Sequence, residues 1–378
     1  MKRGLYFTYF YLPVLVPRSI VGYKHLENSS YSYDVFCKKI NNRELDNTIK
    51  HTSHVDIYRD KHDSGSFQKI WWIIDAVMFY MSKKSSYSFV MTSYMPLYSL
   101  IPGLLIKVFN NKIKWASYYS DPPGISLEKN ISTFKKIFLL FEKKIASISY
   151  IMADLLIFTN KEQLDFCLYG KSQKILNKAK ILSHSYMSDM YDYSIKKSGD
   201  GIIRVSHFGR LYGKRNAIEL IKAVDKMRNI NDDLVRRFRF EFYGSVSQDQ
   251  TDLIKKLGLS DYFFIHDFIR YKESLNKMVE SDFLILIDSC FEKNIFFPSK
   301  LADYLGSNTP IIAVTSEGTT QRIIQETGNY CCTDSADEIY KLLLKIIKKN
   351  KKNVSINYKY SSKNVSILLD TYIQGMDI

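Results

Sequence analysis

The chain has 378 residues, a formal net charge of +15 at pH 7, 46% hydrophobic residues and 25% charged residues. The hydrophobic content excludes a chain that is disordered throughout, and the length suits two domains that each bury a core. The positive charge predicts nucleic acid, an anionic membrane surface or a phosphorylated ligand as partner. Compositional drift remains open as an explanation of part of this charge, since Lys, Asn, Ile and Tyr are all abundant.

The cysteine pattern indicates a reducing compartment, and the cysteine and histidine patterns together argue against a metal site. The odd number of cysteines includes no C-x-x-C pair, which argues against both a disulfide framework and a zinc site. Histidines such as His51 and His54 belong to no cluster, so we expect no metal. No apolar run reaches the roughly 18 residues of a membrane-spanning helix. A cytoplasmic protein is therefore expected.

The first half of the chain alternates between strand and helix patterns. Short apolar runs predict strands at 5–10, 33–37, 54–59, 89–92, 113–119 and 154–160. Helical periodicity predicts helices at 20–26, 67–82, 96–109, 131–150 and 161–168. This alternation is typical of a doubly wound parallel sheet. Residues 178–201 turn polar and are interpreted as a linker between domains.

Asp121 follows the predicted strand 113–119 and precedes the turn Pro122-Pro123-Gly124. The carboxyl ends of parallel strands line the ligand crevice of open α/β sheets, so Asp121 is a candidate functional residue. An Asp that only forms a turn is the alternative.

The segments 67–84 and 131–150, each of which contains a predicted helix, combine lysines with large apolar residues. In the second of them, four lysines alternate with Phe134, Phe138, Leu139 and Phe141; the lysines are Lys135, Lys136, Lys143 and Lys144. A basic amphipathic helix of this type can lie on an anionic bilayer. A core-facing helix with a solvated lysine face remains the alternative.

The pattern restarts in the second half. Strands are predicted at 202–208, 238–243, 262–266, 283–287 and 311–314, and helices at 216–227, 248–257, 271–281, 298–305 and 338–349. The chain is therefore predicted to be α/β, with two doubly wound sheets.

Two basic loops of the second half each follow a strand and open a helix. They are GRLYGKR (209–215) and PSK (298–300), and in a parallel sheet both lie at the same edge. Arg210, Arg215 and Lys300 can together neutralise a diphosphate at the helix N-terminus. Ser299 is expected to cap the helix and Gly306 to stand just beyond its end.

Asp303 comes one helical turn after Lys300, within reach of a ribose diol. An ordinary amphipathic helix with a polar face is the alternative.

Several of these segments resemble a known family. The segments are GRLYGKRNAIELIKAV (209–224), FEFYGS (240–245), FPSKLADYLGSNTPIIAV (297–314) and, more loosely, KWASYYSDPPG (114–124). They are similar to the GT-B glycosyltransferases of family 4. The resemblance implies two Rossmann-like domains that face each other across a cleft. Residues 1–190 would bind the acceptor, 191–355 the nucleotide sugar, and a C-terminal helix in 356–378 would pack back on the first domain.

The resemblance also implies roles for individual residues. The expected donor-binding residues are Arg210, Lys214, Arg215, His266, Phe268, Ile269, Arg270, Pro298, Ser299, Lys300 and Asp303. Of these, 266–270 would hold the base and Asp303 the ribose. Asp121, Arg210 and Arg215 are the expected catalytic residues. The chain departs from the family at Ile295, where a glutamate is usual; Asp288 or Glu292 lies nearby in sequence.

The implied activity is transfer of a hexose or N-acetylhexosamine from a nucleotide-diphosphate sugar, with retention of configuration. A UDP-sugar is favoured over a GDP-sugar, with neither metal nor cofactor. The acceptor would be a lipid-linked surface polysaccharide, and the enzyme would attach to the inner face of the cell membrane. An inactive nucleotide-sugar-binding partner subunit, a GT-B epimerase and a nucleic-acid-binding protein are the rival hypotheses, the last the weakest.

Overall fold

The computed structural model describes residues 2–14, 16–39, 49, 54–61, 67–126, 131–213, 215–288, 293–348 and 357–378. The chain forms two compact units. The first unit contains Met1–Ser126, Ile131–Ser185 and Lys359–Ile378, and the second contains Tyr186–Tyr358.

Among the described residues, the first unit contains a parallel sheet of seven strands in the order β3-β2-β1-β4-β5-β6-β7. The strands are β1 (Arg3–Phe7), β2 (Ser32–Cys37), β3 (Val55–Arg59), β4 (Phe89–Tyr94), β5 (Lys114–Tyr119), β6 (Leu155–Phe158) and β7 (Ala179–Ile181). The helices are α1 (Pro17–Leu26), α2 (Gln68–Lys83), α3 (Ile101–Phe109), α4 (Thr133–Met152), α5 (Lys161–Cys167) and α6 (Gln173–Leu176).

The segment 178–201, interpreted from sequence as a linker, begins with a strand. Strand β7 pairs in parallel with β6, with Ala179 beside Leu156 and Ile181 beside Phe158. It is only three residues long and lies at the edge of the sheet, so it carries no apolar run. It is a strand because its backbone pairs with β6, and such pairing cannot be recognised from the composition of the segment.

The described residues of the second unit form a parallel sheet of six strands in the order β10-β9-β8-β11-β12-β13. The strands are β8 (Ile203–Phe208), β9 (Phe238–Tyr243), β10 (Phe263–His266), β11 (Phe283–Ile287), β12 (Ile311–Val314) and β13 (Tyr330–Cys332). The helices are α7 (Ile218–Ile230), α8 (Asp232–Val235), α9 (Gln248–Lys256), α10 (Tyr271–Glu280), α11 (Ser299–Gly306), α12 (Thr319–Glu326) and α13 (Ala336–Lys348).

Each unit has its own apolar core. Trp72 of α2 and Trp115 of β5 are fully buried in the first, and Phe240 of β9 and Ile285 of β11 in the second. The central strands are buried on both faces, as expected of parallel sheets that helices cover on each side. In open α/β sheets of this kind, ligands bind outside the carboxyl ends of the strands, where the loops lead into the helices.

The last helix, α14 (Ser362–Gln374), belongs to the first unit. The Ser366 hydroxyl donates to the His25 carbonyl at 2.8 Å, and the Tyr372 hydroxyl donates to the Ile181 carbonyl at 3.1 Å. The Asp370 carboxylate accepts from the backbone N–H of Ser30 at 2.6 Å. Within the described residues, no helix combines the length and apolar composition that crossing a bilayer requires.

Candidate functional site

Two glycines shape the edge of the second sheet where β8 and β9 end. Gly209 has a φ of 107° and Gly244 a φ of 136°, conformations that L-residues rarely adopt. A Cβ on Gly244 would lie 2.5 Å from the Gly209 carbonyl oxygen. The Gly209 N–H donates to the Tyr243 carbonyl at 2.8 Å, so the two loops run side by side beyond the strands. These glycines let the two loops approach each other closely.

The side chain of Lys300, in the first turn of α11, reaches this edge. A Cβ on Gly209 would lie 3.2 Å from its Nζ atom, so a larger residue there would compete with the ammonium group. Nζ also lies 3.3 Å from Nε2 of His207. Because the Ile285 carbonyl, at 3.0 Å, can only accept, Nδ1 of His207 carries the ring proton. Nε2 therefore accepts a hydrogen bond from Lys300.

Arg215 approaches the same edge from the loop after β8. Its Nη2 atom lies 3.4 Å from Oδ1 of Asp288, whose side chain is fully buried just after β11. The Asn294 amide and the Thr320 hydroxyl donate to the other carboxylate oxygen, at 2.7 and 2.6 Å. Asp288 is therefore fixed from two sides and in turn positions the Arg215 guanidinium.

Lys300 and Arg215 form a cationic pair that perturbs the lysine. Desolvation and the positive charge of Arg215 lower the pKa of Lys300 to about 7, and the Asp288 carboxylate opposes this shift. Desolvation and the same two cations hold the pKa of His207 well below its usual range, so the imidazole stays neutral. Two cations that act on each other at one edge of the sheet favour an anion as ligand.

The helix α11 begins at Ser299, one residue after the predicted start at 298, and both of its ends differ from the sequence interpretation. Pro298 is the N-cap residue and no side chain caps the helix, so the prediction of a Ser299 cap is wrong. Gly306 is the last helical residue, and the left-handed residue after the helix is Asn308, with a φ of 57°. A Cβ on Gly306 would lie 2.5 Å from Tyr186, so close packing and not helix termination requires glycine there.

Asp303 lies one turn further along α11 and is buried. Its Oδ1 accepts a hydrogen bond from the Tyr271 hydroxyl at 2.8 Å, and its backbone carbonyl accepts from the Tyr191 hydroxyl at 2.8 Å. The neighbouring Tyr304 hydroxyl accepts from the backbone N–H of Phe208 at 2.9 Å. These contacts fix α11 to the end of β8 and orient the Asp303 carboxylate.

The segment 266–270 follows β10 and is held by an aromatic stack across three strand ends. The ring of His266 stacks on Tyr243 at 4.5 Å, and Tyr243 stacks on Phe208 at 4.9 Å. Beyond the stack, Phe268 is 59% exposed and the Arg210 guanidinium lies 5.5 Å from its ring centroid. Ile269 is half-buried, and Arg270 is exposed and precedes α10. The segment thus presents an open ring and a cation beside Gly244.

Ile295, at the position of the missing glutamate, is buried. The residue before it, Asn294, forms a parallel bridge with Gly318, and a Cβ on Gly318 would lie 2.0 Å from the Asn294 carbonyl oxygen. This bridge fixes the loop before α11 against the start of α12. Lys214 and Glu292 lie outside the described residues.

Asp121 belongs to the first unit and follows β5 at the carboxyl edge of that sheet. The Ser120 hydroxyl donates to the Tyr94 carbonyl at 3.3 Å, and Asp121 is half-buried. Glu142 of α4 accepts from the Tyr94 hydroxyl and from the Gly124 backbone, and desolvation raises its pKa above the usual range. The turn that carries Asp121 is therefore tied to α4.

The structure brings Arg215, Lys300 and the loop glycines of the second unit together, with Asp303 and the 266–270 segment along the same edge. Sequence reasoning missed the residues that position them: His207, Tyr271, Asn294 and Thr320. His207 had a signal, as a polar residue inside an apolar strand; the others became recognisable only through their contacts. Across the described residues, no group of three or more His, Cys, Asp or Glu side chains could hold a metal ion.

No family model and no curated protein matches the sequence. Solved structures do match over the whole chain. One is the sucrose-phosphate synthase of Thermosynechococcus elongatus, with a TM-score of 0.67 and 12% identity, covering 100% of this chain and 95% of that one. Another is an α,α-trehalose-phosphate synthase (UDP-forming) of Burkholderia xenovorans, with a TM-score of 0.66, 7% identity and full coverage of both chains. A third is the UDP-GlcNAc 2-epimerase of Methanocaldococcus jannaschii, with a TM-score of 0.57, 12% identity and coverage of 99% and 100%.

At these identities the likeness establishes the fold and not the activity. The chain has the GT-B fold, with one parallel α/β sheet in each of its two units. This confirms the predicted fold class. The fold hosts both glycosyltransferases and sugar epimerases among these neighbours, so function has to be argued from the site.

Proposed function

We propose that the protein is a glycosyltransferase that takes a hexose or N-acetylhexosamine from a nucleotide-diphosphate sugar. The observation that carries the proposal is the cationic pair of Lys300 and Arg215 beside Gly209, at the carboxyl edge of the second sheet. When the bond between the sugar and the diphosphate breaks, negative charge develops on the leaving diphosphate. Prepositioned cations and the N-terminus of α11 stabilise that charge without reorganising.

The proposal includes the remaining donor-binding residues expected from the sequence. Arg210, Lys214, Pro298 and Ser299 would complete the diphosphate site. The segment 266–270 would hold the base, with Phe268 as a stacking platform. Two of the three structural neighbours are named for UDP chemistry, which supports UDP over GDP as the carrier. No cofactor is part of this proposal.

The acceptor side of the proposal rests on the first unit. Asp121, at the edge of the first sheet, would contact the donor sugar or the acceptor hydroxyl. Retention of configuration, membership of family 4 and a lipid-linked surface-polysaccharide acceptor belong to the proposal through the resemblance of the sequence segments. So does cytoplasmic placement against the inner face of the cell membrane.

Two rivals have observations of their own. The buried Ile295 at the position of the family glutamate favours a partner subunit that binds the nucleotide sugar without catalysis. The likeness to a UDP-GlcNAc 2-epimerase favours an epimerase. Both rivals bind the same class of donor, so binding alone does not separate the three.

A two-part experiment separates them. A thermal-shift panel of UDP, GDP and ADP is expected to show stabilisation by UDP above all, since a ligand at a hundred times its Kd adds about 2.7 kcal/mol. Labelled UDP-sugars are then incubated with a lipid extract and with wild type or Asp121→Asn. We expect sugar transfer by wild type, and loss of transfer with an unchanged UDP shift in the variant.

Binding with neither transfer nor hydrolysis would instead establish the partner subunit. Conversion of the sugar of the UDP-sugar into its epimer, in the absence of an acceptor, would establish the epimerase. No response to any nucleotide would overturn the proposal.

Asp303 gives a prediction about the ribose. If its carboxylate accepts from the ribose diol, wild type is expected to bind UDP about tenfold more tightly than 2′-deoxy-UDP, because a hydrogen bond to a charged group is worth about 1.5 kcal/mol. Asp303→Ala should bind both ligands equally. Calorimetry on the four combinations measures the coupling directly. Tyr271→Phe is the control, since it removes the hydroxyl that orients Asp303 and leaves the carboxylate; a preference for UDP that survives in Asp303→Ala would contradict the assignment.

A further inference from the structure

Three helices of the first unit carry large apolar side chains on their solvent side. Phe134 of α4 is 81% exposed, Phe109 of α3 is 71% exposed and Met78 of α2 is 63% exposed. The other exposed members on these helices are Ile70, Trp71, Ile74, Met81, Leu105, Val108, Ile137, Phe138, Leu140, Phe141, Ile148 and Ile151. Single exposed apolar residues are ordinary on a protein surface, but so many on adjacent helices mark a binding surface.

The exposed residues follow helical spacing. On α2, Ile70, Trp71 and Ile74 form one stripe, which Met78 and Met81 continue. The same helix buries Trp72, Ala76 and Tyr80 in the core. Each of these helices therefore has one apolar face that folding uses and a second that folding leaves in water.

The helices are neighbours, so the stripes join into one surface. Helix α3 contacts both α2 and α4. The Asn110 amide after α3 donates to the Tyr80 hydroxyl of α2 at 2.8 Å. We call this combined face the three-helix surface; it consists of the exposed residues of α2, α3 and α4 named above.

The charges on these helices are strongly biased. They carry seven lysines, Lys69, Lys83, Lys107, Lys135, Lys136, Lys143 and Lys144. Their acidic residues are Asp75 and Glu142, and Glu142 is buried against Tyr94. Lys136, Lys143 and Lys144 are exposed among the apolar residues of α4. The three-helix surface thus combines exposed apolar side chains with lysines that attract anions.

We propose that the three-helix surface docks on an anionic lipid bilayer. The aromatic and aliphatic side chains would enter the acyl boundary while the lysines contact lipid phosphates. A second copy of the chain fits less well, because an isologous contact would bring this lysine-bearing face against the same positively charged face of the other copy. The bilayer supplies the opposite charge.

Docking would also place the acceptor side of the protein at the membrane. A Cβ on Gly124 would lie 2.6 Å from the Leu139 carbonyl oxygen and 2.4 Å from the Lys143 side chain, so the Asp121 turn packs directly on α4. This consequence rests on the proposed function: an acceptor whose lipid stays in the bilayer would meet Asp121 beside the docked helix. The docking itself does not depend on the donor site.

Flotation with vesicles tests the proposal. The full-length protein is expected to float with phosphatidylcholine vesicles that contain phosphatidylglycerol, and about tenfold less with phosphatidylcholine alone. Phe109→Ser with Phe134→Ser is expected to lower binding at least about tenfold, since each phenylalanine withdraws a largely exposed ring from water. The matched control is Tyr169→Ser with Ile230→Ser, two exposed apolar residues outside the surface.

A second pair isolates the charge. Lys143→Glu with Lys144→Glu is expected to weaken binding to the anionic vesicles by at least about tenfold, because each lysine near such a surface contributes about fivefold. Lys255→Glu with Lys256→Glu changes the net charge equally on α9 of the second unit and should bind as wild type does.

The proposal would be overturned if wild type bound neither kind of vesicle. It would also be overturned if the control variants lost as much binding as the variants of the three-helix surface. A third contrary result would be a wild-type protein that binds no vesicles, forms a dimer in sedimentation velocity and becomes a monomer in the variant Phe109→Ser with Phe134→Ser. The UDP thermal shift of each variant should equal that of wild type. A variant that loses the UDP thermal shift but still binds vesicles would count against the proposed donor site and not against the docking surface.

Discussion

Arg215→Ala is expected to remove nearly all stabilisation of the protein by UDP. A guanidinium gives a diphosphate forked, charge-assisted hydrogen bonds, and losing about 3 kcal/mol of them weakens binding about a hundredfold. At a UDP concentration of a hundred times the wild-type Kd, the stabilisation would fall from about 2.7 to about 0.4 kcal/mol. Thermal unfolding with and without UDP measures the difference.

The same substitution also disturbs the unliganded protein, so a second variant is needed. Arg215 is a cation whose Nη2 atom lies 3.4 Å from the buried Asp288 carboxylate. Its removal takes a cationic neighbour from that carboxylate while the hydrogen bonds from Asn294 and Thr320 remain, and we expect a loss of about 2 kcal/mol in the free energy of unfolding. Asp288→Asn in the Arg215→Ala background removes the carboxylate charge that Arg215 no longer faces.

The double variant is therefore expected to recover stability without recovering UDP binding. Arg228→Ala is the matched single control, because Arg228 pairs with Asp225 within α7 and lies outside the candidate site. If Arg215→Ala keeps the wild-type UDP shift, or if the double variant regains it, Arg215 does not bind the diphosphate.

UDP binding by wild type is expected to weaken as the pH rises above 7. Lys300 has a pKa of about 7 in the unliganded protein, because of desolvation and the nearby Arg215. A bound diphosphate favours the charged lysine and raises this pKa. Above pH 7 the lysine must therefore take up a proton on binding, and the affinity falls by at least about tenfold between pH 7 and pH 9.

The other groups that face Lys300 do not produce this profile. His207 remains neutral throughout the range because burial and the two cations lower its pKa. The terminal phosphate of UDP ionises near pH 6, below the window. Titration calorimetry at pH 8 in two buffers of different ionisation enthalpy should report uptake of nearly one proton.

Lys300→Arg separates the charge from its titration. Arginine stays protonated at every pH tested, so the affinity of this variant for UDP should be nearly constant from pH 7 to pH 9. A wild-type profile that is flat across this range would show that Lys300 does not bind the diphosphate as a titrating group.

The sequence by itself determined the fold class and the order of most elements. Strands β11 and β12 appear in it as apolar runs with the bounds that the structure has, because strands buried on both faces leave a continuous apolar signal. Loops that open helices after strands are equally visible, and so Arg215 and Lys300 could be placed at one edge of the sheet before any coordinates.

Only the tertiary structure decided how these residues are held. The Lys300 contact with His207 and the Arg215 contact with Asp288 join positions far apart in sequence, and no local pattern encodes them. The role of Gly306 changed from helix terminator to packing contact because Tyr186 approaches it. Strand β7 formed through backbone pairing with β6 although it lies in a segment, 178–201, that is polar overall. The local periodicity of the sequence indicates which residues are buried and where strands and helices begin and end. The distances between side chains depend on which strands become neighbours in the sheet.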